Sequence, residues 1–243
     1  MKLIFEHVST PAAREALEEH GESDFAYTLR GVGRLRVNAY QQQTGLALVM
    51  RYIKNDVPNY RALGLPERVM THLAEQHQGI ILVTGPTGSG KTTTLASLIQ
   101  LINETKAANI ITLEDPIEVV YTDSRSTISQ RELGRDTKSF SRALRAALRQ
   151  DPDIILIGEM RDKETVEAAI SAAQTGHLVL STLHTQDAVR TINRILDFFA
   201  PHERQQIRLA LSESILGVSQ QLVASRSRGH DYLRVDVLDA CHA

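Results

Sequence analysis

Hydrophobic positions change their period part-way along the chain. In residues 1–53 they alternate: Phe25, Tyr27 and Leu29, then Leu35, Val37 and Ala39, then Leu46, Leu48 and Met50. Gly31 and Gly33 separate the first two sets, and Gln43-Thr44-Gly45 the next two. A period of two with turn residues between runs predicts an antiparallel meander with one solvated face. Ahead of it a short helix is predicted, with Thr10 as its cap, Pro11 in its first turn and Gly21 at its end. Three strands and one helix make a thin core, so this part is not expected to fold alone.

Residues 54–66, KNDVPNYRALGLP, carry prolines and a glycine and read as a linker. From 67 to 243 the apolar positions fall in continuous runs: Ile80-Ile81-Leu82-Val83, Ile110-Ile111, Ile154-Ile155-Leu156-Ile157 and Leu178-Val179-Leu180. A polar or glycine-rich turn and a helical stretch follow each. Strands buried on both faces and alternating with helices predict an α/β domain with a mainly parallel sheet.

Composition narrows the function classes. With 27 Lys+Arg against 29 Asp+Glu, the net charge of −2 gives no reason to expect a nucleic-acid partner. The single Cys241 cannot form an internal disulfide, which suits a reducing compartment. No apolar run approaches the roughly 20 residues that cross a bilayer, and the charged start MKLIFEHVSTPAAREALEEH does not read as a signal peptide. The expectation is a cytoplasmic protein without direct membrane insertion, associated with a membrane only through partners.

The strongest chemical signal is Gly85-Pro86-Thr87-Gly88-Ser89-Gly90-Lys91-Thr92, a complete phosphate-binding loop between a buried strand and a helix running on through Thr93. Its glycines let successive N–H groups face one anion, and the helix start adds positive potential. Lys91 is placed to reach the β and γ phosphates of ATP, and the Thr92 hydroxyl to enter a Mg²⁺ shell. Such a site needs a second acid. Glu159 follows the run 154–157 and would emerge at the ligand edge of a parallel sheet. Glu114, Asp115 and Glu118 follow another strand; three carboxylates so close repel one another unless a cation or basic group lies near.

In order, GPTGSGKTTT, TLEDPIE, LRQDPDIILIGEMRDKET and TGHLVLSTLHT resemble the Walker A, Asp box, Walker B and His box of the type II/IV secretion ATPases. RLRVNAY, NRILDFFAP and LSESILGVSQQL extend the resemblance, which is closest to the PilT-like retraction branch. It implies a RecA-like three-layer sandwich from 67 to 243, preceded at 1–53 by part of a PAS-like α+β domain. It implies Mg²⁺-dependent ATP hydrolysis by a hexameric motor that drives pilus retraction and twitching motility, docked on an inner-membrane pilus platform protein. Glu118 is then the general base, supported with the metal by Glu114 and Asp115. Glu159 acts on Mg²⁺ through water, and His177 and His184 contact the nucleotide. One or more of Arg34, Arg36 and Arg51 reaches an adjacent subunit's nucleotide.

Arg142, Arg145 and Arg149 share a helix face, as either a surface stripe or a subunit contact. A lone cysteine cannot build the four-cysteine zinc module of assembly-type relatives, which favours the retraction branch. By the same resemblance the chain is expected to start within the first domain and to lack the AIRNLIRE-bearing helical region. That leaves open a regulatory or assembly subunit that joins a mixed ring with a full-length motor, and an ATPase serving secretion or conjugation. Kinases and GTPases share the loop, but the chain holds no N-K-x-D run.

Overall fold

The change of period marks a change of architecture. The computed structural model describes residues 1–53, 57–185, 187–223 and 233–239, and Cys241 lies outside them. Two compact units emerge, Met1–Asp56 with Glu118–Val120, and Val57–Ile117 with Tyr121–Ala243.

The smaller unit comprises α1 (Lys2–Val8), α2 (Pro11–His20), β1 (Glu22–Leu29), β2 (Gly33–Gln42) and β3 (Gly45–Ile53). Thr10 caps α2, its Oγ1 accepting from the Ala13 N–H at 3.2 Å. Gly21 ends the helix in the left-handed region at φ 78°, where a Cβ would be strained. The strands form the expected antiparallel meander, with Phe25 opposite Val37 and Val37 opposite Met50. The face bearing Phe25, Ala39, Leu46 and Leu48 packs with Leu17 of α2. Helix α1 was not legible in the sequence. Its Leu3 and Ile4 are exposed, and it is anchored by the buried Phe5, which meets Phe25 edge-on at 6.0 Å.

The larger unit continues with α3 (Glu67–Glu75), β4 (Gly79–Thr84), α4 (Lys91–Thr105), β5 (Asn109–Glu114), β6 (Thr127–Glu132), α5 (Phe140–Ala147) and β7 (Ile154–Ile157). It ends with α6 (Lys163–Gln174), β8 (Leu178–Leu183), α7 (Ala188–Leu196), α8 (Arg204–Ser214), β9 (Ile215–Val223) and β10 (Leu233–Asp239). The sheet order is β10-β9-β4-β8-β7-β5-β6, parallel except for β10 against β9. Alternate residues of one strand serve opposite layers. Ile80 and Leu82 pack with Leu144, Ile170 and Ile195, whereas Ile81 and Val83 pack with Leu73, Leu95 and Ile99. Helices therefore cover both faces, which makes this a three-layer RecA-like sandwich. Tyr60 and Leu65 are buried in the second of these layers, with Leu63 packed against it, so the segment 57–66 is anchored to this unit at those side chains.

One connection departs from the expected alternation. Between β5 and β6 no helix intervenes, and the chain returns through an irregular stretch from 115 to 126. Asn103 on α4, fully buried, pins the return: its Nδ2 donates to Thr122 O at 2.9 Å and its Oδ1 accepts from Ser124 N–H at 3.0 Å. Strand β6 itself escaped the hydrophobic reading because it is an edge strand of sequence TISQRE. Among the described residues no helix is long and apolar enough to cross a membrane.

Asn103→Ala removes a fully buried side chain and takes away the partner of the Thr122 carbonyl and of the Ser124 N–H, both in part-buried hydrogen bonds. We expect a loss of about 2–4 kcal/mol in urea unfolding, and a loss below about 0.5 kcal/mol would show that the side chain does not hold this return.

Candidate nucleotide site

The phosphate-binding loop takes the shape its glycines permit. Strand β4 is buried throughout and delivers the chain to Gly85, Gly88 and Gly90, at φ 143°, 79° and 87°. Gly90 caps α4 with no side-chain hydrogen bond, and the start of a helix capped in this way suits an anion. Lys91 is buried at 7% exposure, and its Nζ donates to Gly85 O at 3.0 Å and to Pro86 O at 2.9 Å. A buried ammonium must be paired or solvated. Here the loop's own carbonyls hold it. Ser89 Oγ is buried within the loop without a hydrogen-bond partner, while Pro86, Thr87 and Thr92 are exposed and Thr93 half-buried.

Strand order decides which residues accompany the loop. Next to β4 lies β8, then β7, then β5, with neighbours about 4.8 Å apart. Their carboxyl ends carry Gly85, His184, Glu159 and Asp115 respectively. The end of β7 is tied on both sides: Gly158 N–H donates to Leu113 O at 2.8 Å, and Gly158 O accepts from Thr182 Oγ1 at 2.6 Å. A Cβ at 158 would stand 3.3 Å from Leu113 O, so glycine is what lets β5 and β7 close up here.

Charges then meet across these ends. Arg161 Nε donates to Glu159 Oε2 at 2.7 Å, and its Nη1 lies 3.5 Å from Asp115 Oδ2. His184 Nε2 lies 3.6 Å from Glu159 Oε1. The basic group that the acidic cluster demands is thus Arg161, which the sequence reading did not single out. The signal was available, since Arg161 stands two residues past Glu159 and directly before Asp162, the cap of α6.

Other expected residues are placed differently. Glu114 is buried and accepts from Thr112 Oγ1 at 2.7 Å and Gln130 Nε2 at 3.1 Å. Tyr121 sits in the same setting; burial foremost, then the negative Glu114, pushes its phenol above its ordinary value. Glu132, also buried, accepts from Ile117 N–H at 3.1 Å and so restrains the Asp box. Glu118 is exposed and grouped with the smaller unit. Arg34, Arg36 and Arg51 share one face of the meander, Arg36 directly opposite Arg51; the first is buried and the last exposed.

His177 requires a correction. It precedes β8, whereas His184 follows it, so the six-residue strand separates them by about 20 Å. His177 lies at the amino end of the sheet, with Nδ1 2.9 Å from Ala172 O, and it does not reach the phosphate loop of its own chain. A motif spacing of seven carried the strand's length with it.

Comparison with known proteins agrees with this fold. The family described as type II/IV secretion system protein matches residues 23–235. The chain belongs to that family. Within this secretion-ATPase family it is 48% identical over 216 residues to the type IV pilus retraction ATPase PilT of Pseudomonas aeruginosa, covering 89% of this chain and 62% of that protein. It is 49% identical over 208 residues to a twitching motility protein of Neisseria gonorrhoeae, covering 86% of this chain and 55% of that one. A crystal structure of the pilus retraction motor PilT with bound ADP matches at TM-score 0.93 and 47% identity, over 98% of this chain and 69% of that one. The chain therefore spans under two thirds of the length of these two sequence relatives.

For this secretion-family chain the tie at Gly158 has a measurable consequence. Gly158→Ala should lower thermal stability by about 1–2 kcal/mol, because neither Leu113 O nor the Glu114 backbone is free to move aside. Unchanged unfolding would mean that β5 and β7 separate more readily than their hydrogen bonds imply.

Proposed function

We propose that this chain hydrolyses ATP with Mg²⁺ as a subunit of a homohexameric motor that drives type IV pilus retraction. One observation carries the reading. A glycine-built loop holding a buried ammonium opens at the sheet edge where His184, Glu159 and Asp115 also end. The relatives named above supply the motor context: a retraction ATPase, a twitching motility protein, and a retraction motor seen with ADP. The working place follows from that context: cytoplasmic, held at the inner membrane by a pilus platform protein.

The residues present fit a magnesium nucleotide. No group of three or more His, Cys, Asp or Glu side chains able to hold a metal occurs among the described residues. Mg²⁺ does not need one, since it is commonly held by one or two carboxylates, waters and the phosphates themselves. The exposed Thr92 hydroxyl would provide a direct ligand, with Glu159 and Asp115 acting through water. The unpartnered Ser89 hydroxyl is a donor still available inside the loop. When bound, Mg²⁺ supplies charge neutralisation at the phosphates.

Lys91 exchanges the carbonyls of Gly85 and Pro86 for the β and γ phosphates, and backbone N–H groups of the loop and of the start of α4 complete the cradle; Pro86 has none to give. Glu118 polarises the attacking water as general base. His184 senses the γ phosphate from the end of β8, one strand from the loop. Glu114 supports the Asp box from beneath, held by Thr112 and Gln130. The face bearing Arg34, Arg36 and Arg51 meets the nucleotide of a neighbouring subunit, where a trans arginine contributes roughly 10³–10⁵ in rate.

Phosphate release and nucleotide binding, measured together, test the assignment. Lys91→Ala should lose nucleotide binding and lower turnover by about 10²-fold or more; wild-type turnover in that variant contradicts the site. Glu118→Gln should keep ATP bound while turnover falls by about 10²–10⁴, and failure to bind would make Glu118 structural. Cells lacking the gene should carry more surface pili than the parent and lose surface motility; unaltered pilus number with unaltered motility removes the retraction reading and leaves the ATPase.

A further inference from the structure

Two acids from different strands converge on one arginine that has no part in the phosphate cradle. Arg161 Nε donates to Glu159 Oε2 at 2.7 Å, and its Nη1 stands 3.5 Å from Asp115 Oδ2. Its backbone is held on both sides. Met160 before it is 3% exposed, and Asp162 after it caps α6, accepting from Thr165 N–H at 2.8 Å and Thr165 Oγ1 at 2.9 Å. The side chain, by contrast, is 57% exposed. A guanidinium on a fixed root but in water can hold the two carboxylates or leave them at small cost, since exposed pairs contribute only about 0.2–1 kcal/mol each.

The other acids nearby do not depend on Arg161 in this way. Glu114 is satisfied by Thr112 and Gln130, and Glu132 takes the Ile117 N–H. Asp115 and Glu159 are the ones that share the guanidinium, with His184 on the far oxygen of Glu159. They are also the two acids proposed above to meet Mg²⁺ through water. A carboxylate held by a 2.7 Å charge-assisted bond to Nε has one oxygen less to offer a hydrated cation.

We infer that Arg161 is a positioning residue that stands in for the divalent cation between rounds of nucleotide binding. It keeps Glu159 and Asp115 together when the metal is away and yields them when magnesium nucleotide enters. The guanidinium and Mg²⁺ therefore compete for the same two carboxylates. This rests on the reading of residues 85–92 as a magnesium-nucleotide site.

The test uses the full chain and a fluorescent ADP analogue, titrated with MgCl₂ at constant ionic strength, with a parallel arm in EDTA. For Arg161→Gln the Mg²⁺ concentration giving half-maximal binding should fall about two- to fivefold, the size that exposed ion pairs support. Binding in EDTA should stay near that of the unaltered chain. The kcat should drop without a rise in KM for Mg·ATP, because the acids bind metal more readily but are held less uniformly. Arg161→Lys keeps the charge and loses the fork, so its Mg²⁺ midpoint should lie between the two. If Arg161→Gln does not fold, the shift in Arg161→Lys decides the matter. An unchanged or raised Mg²⁺ midpoint overturns the competition. Absence of analogue binding by the unaltered chain in both arms removes the nucleotide reading and this inference together, whereas intact binding with an unmoved midpoint removes this inference alone.

Discussion

Like charges must not be left uncompensated at the carboxyl edge of the parallel sheet, and most of the site's architecture answers that constraint. Parallel strands deliver their last residues to one edge, and here those residues bring Asp115 and Glu159 within reach of one side chain. Each charge is met locally. Lys91 is held by two carbonyls of its own loop, Glu114 by a hydroxyl and an amide, and Asp115 and Glu159 by Arg161. The buried members are satisfied by fixed neutral groups. The accessible ones are satisfied by a cation on an exposed side chain. That division suits a site that must hold its acids still and release them to a ligand.

The same constraint explains why the loop has the residues it has. An ammonium 7% exposed needs oxygen ligands close by, and the carbonyls of Gly85 and Pro86 supply them because the chain can pass through φ 143° at Gly85. A side chain at 85 would oppose that conformation. The loop is thus shaped to hold its own ammonium on two backbone carbonyls.

How much of this was legible depended on whether the information was local. The α2 cap at Thr10, its end at Gly21, the meander and the phosphate loop are encoded within a few neighbouring residues, and the structure reproduces them. The parallel strands were legible because burial on both faces leaves continuous apolar runs. What stayed hidden depends on distance. Asn103 meets Thr122 and Ser124 from a helix 19 and 21 residues away, and no pattern around Asn103 announces it. Strand β6 is defined by its neighbour rather than by its own polar sequence. The two histidines of one motif look equivalent in a string, yet a strand of six residues lies between them and sends them to opposite edges. Arg161 was legible in part: Glu159 stands two residues before it, but its other partner, Asp115, belongs to another strand, and only the sheet order brings those two together.

That order also fixes a dependence that the motifs do not reveal. The phosphate loop and Glu159 do not sit on neighbouring strands, because β8 stands between β4 and β7. Their relative position, about 10 Å across two strand spacings, is therefore set by how β8 pairs on each side. Thr84 lies opposite Leu183 on one side, and on the other Ser181 and Thr182 donate to the carbonyls of Ile157 and Gly158. The polar side chains late in β8 are thus not ornaments of a buried strand. They clamp the acid-bearing end of β7 at a depth that the apolar pairing alone would leave adjustable, and His184, the next residue of that edge beyond Leu183, inherits the alignment. His184, at the end of that intermediary strand, lies 3.6 Å from Glu159, so the strand that separates the phosphate loop from the acid also touches the acid through its first residue beyond the ladder.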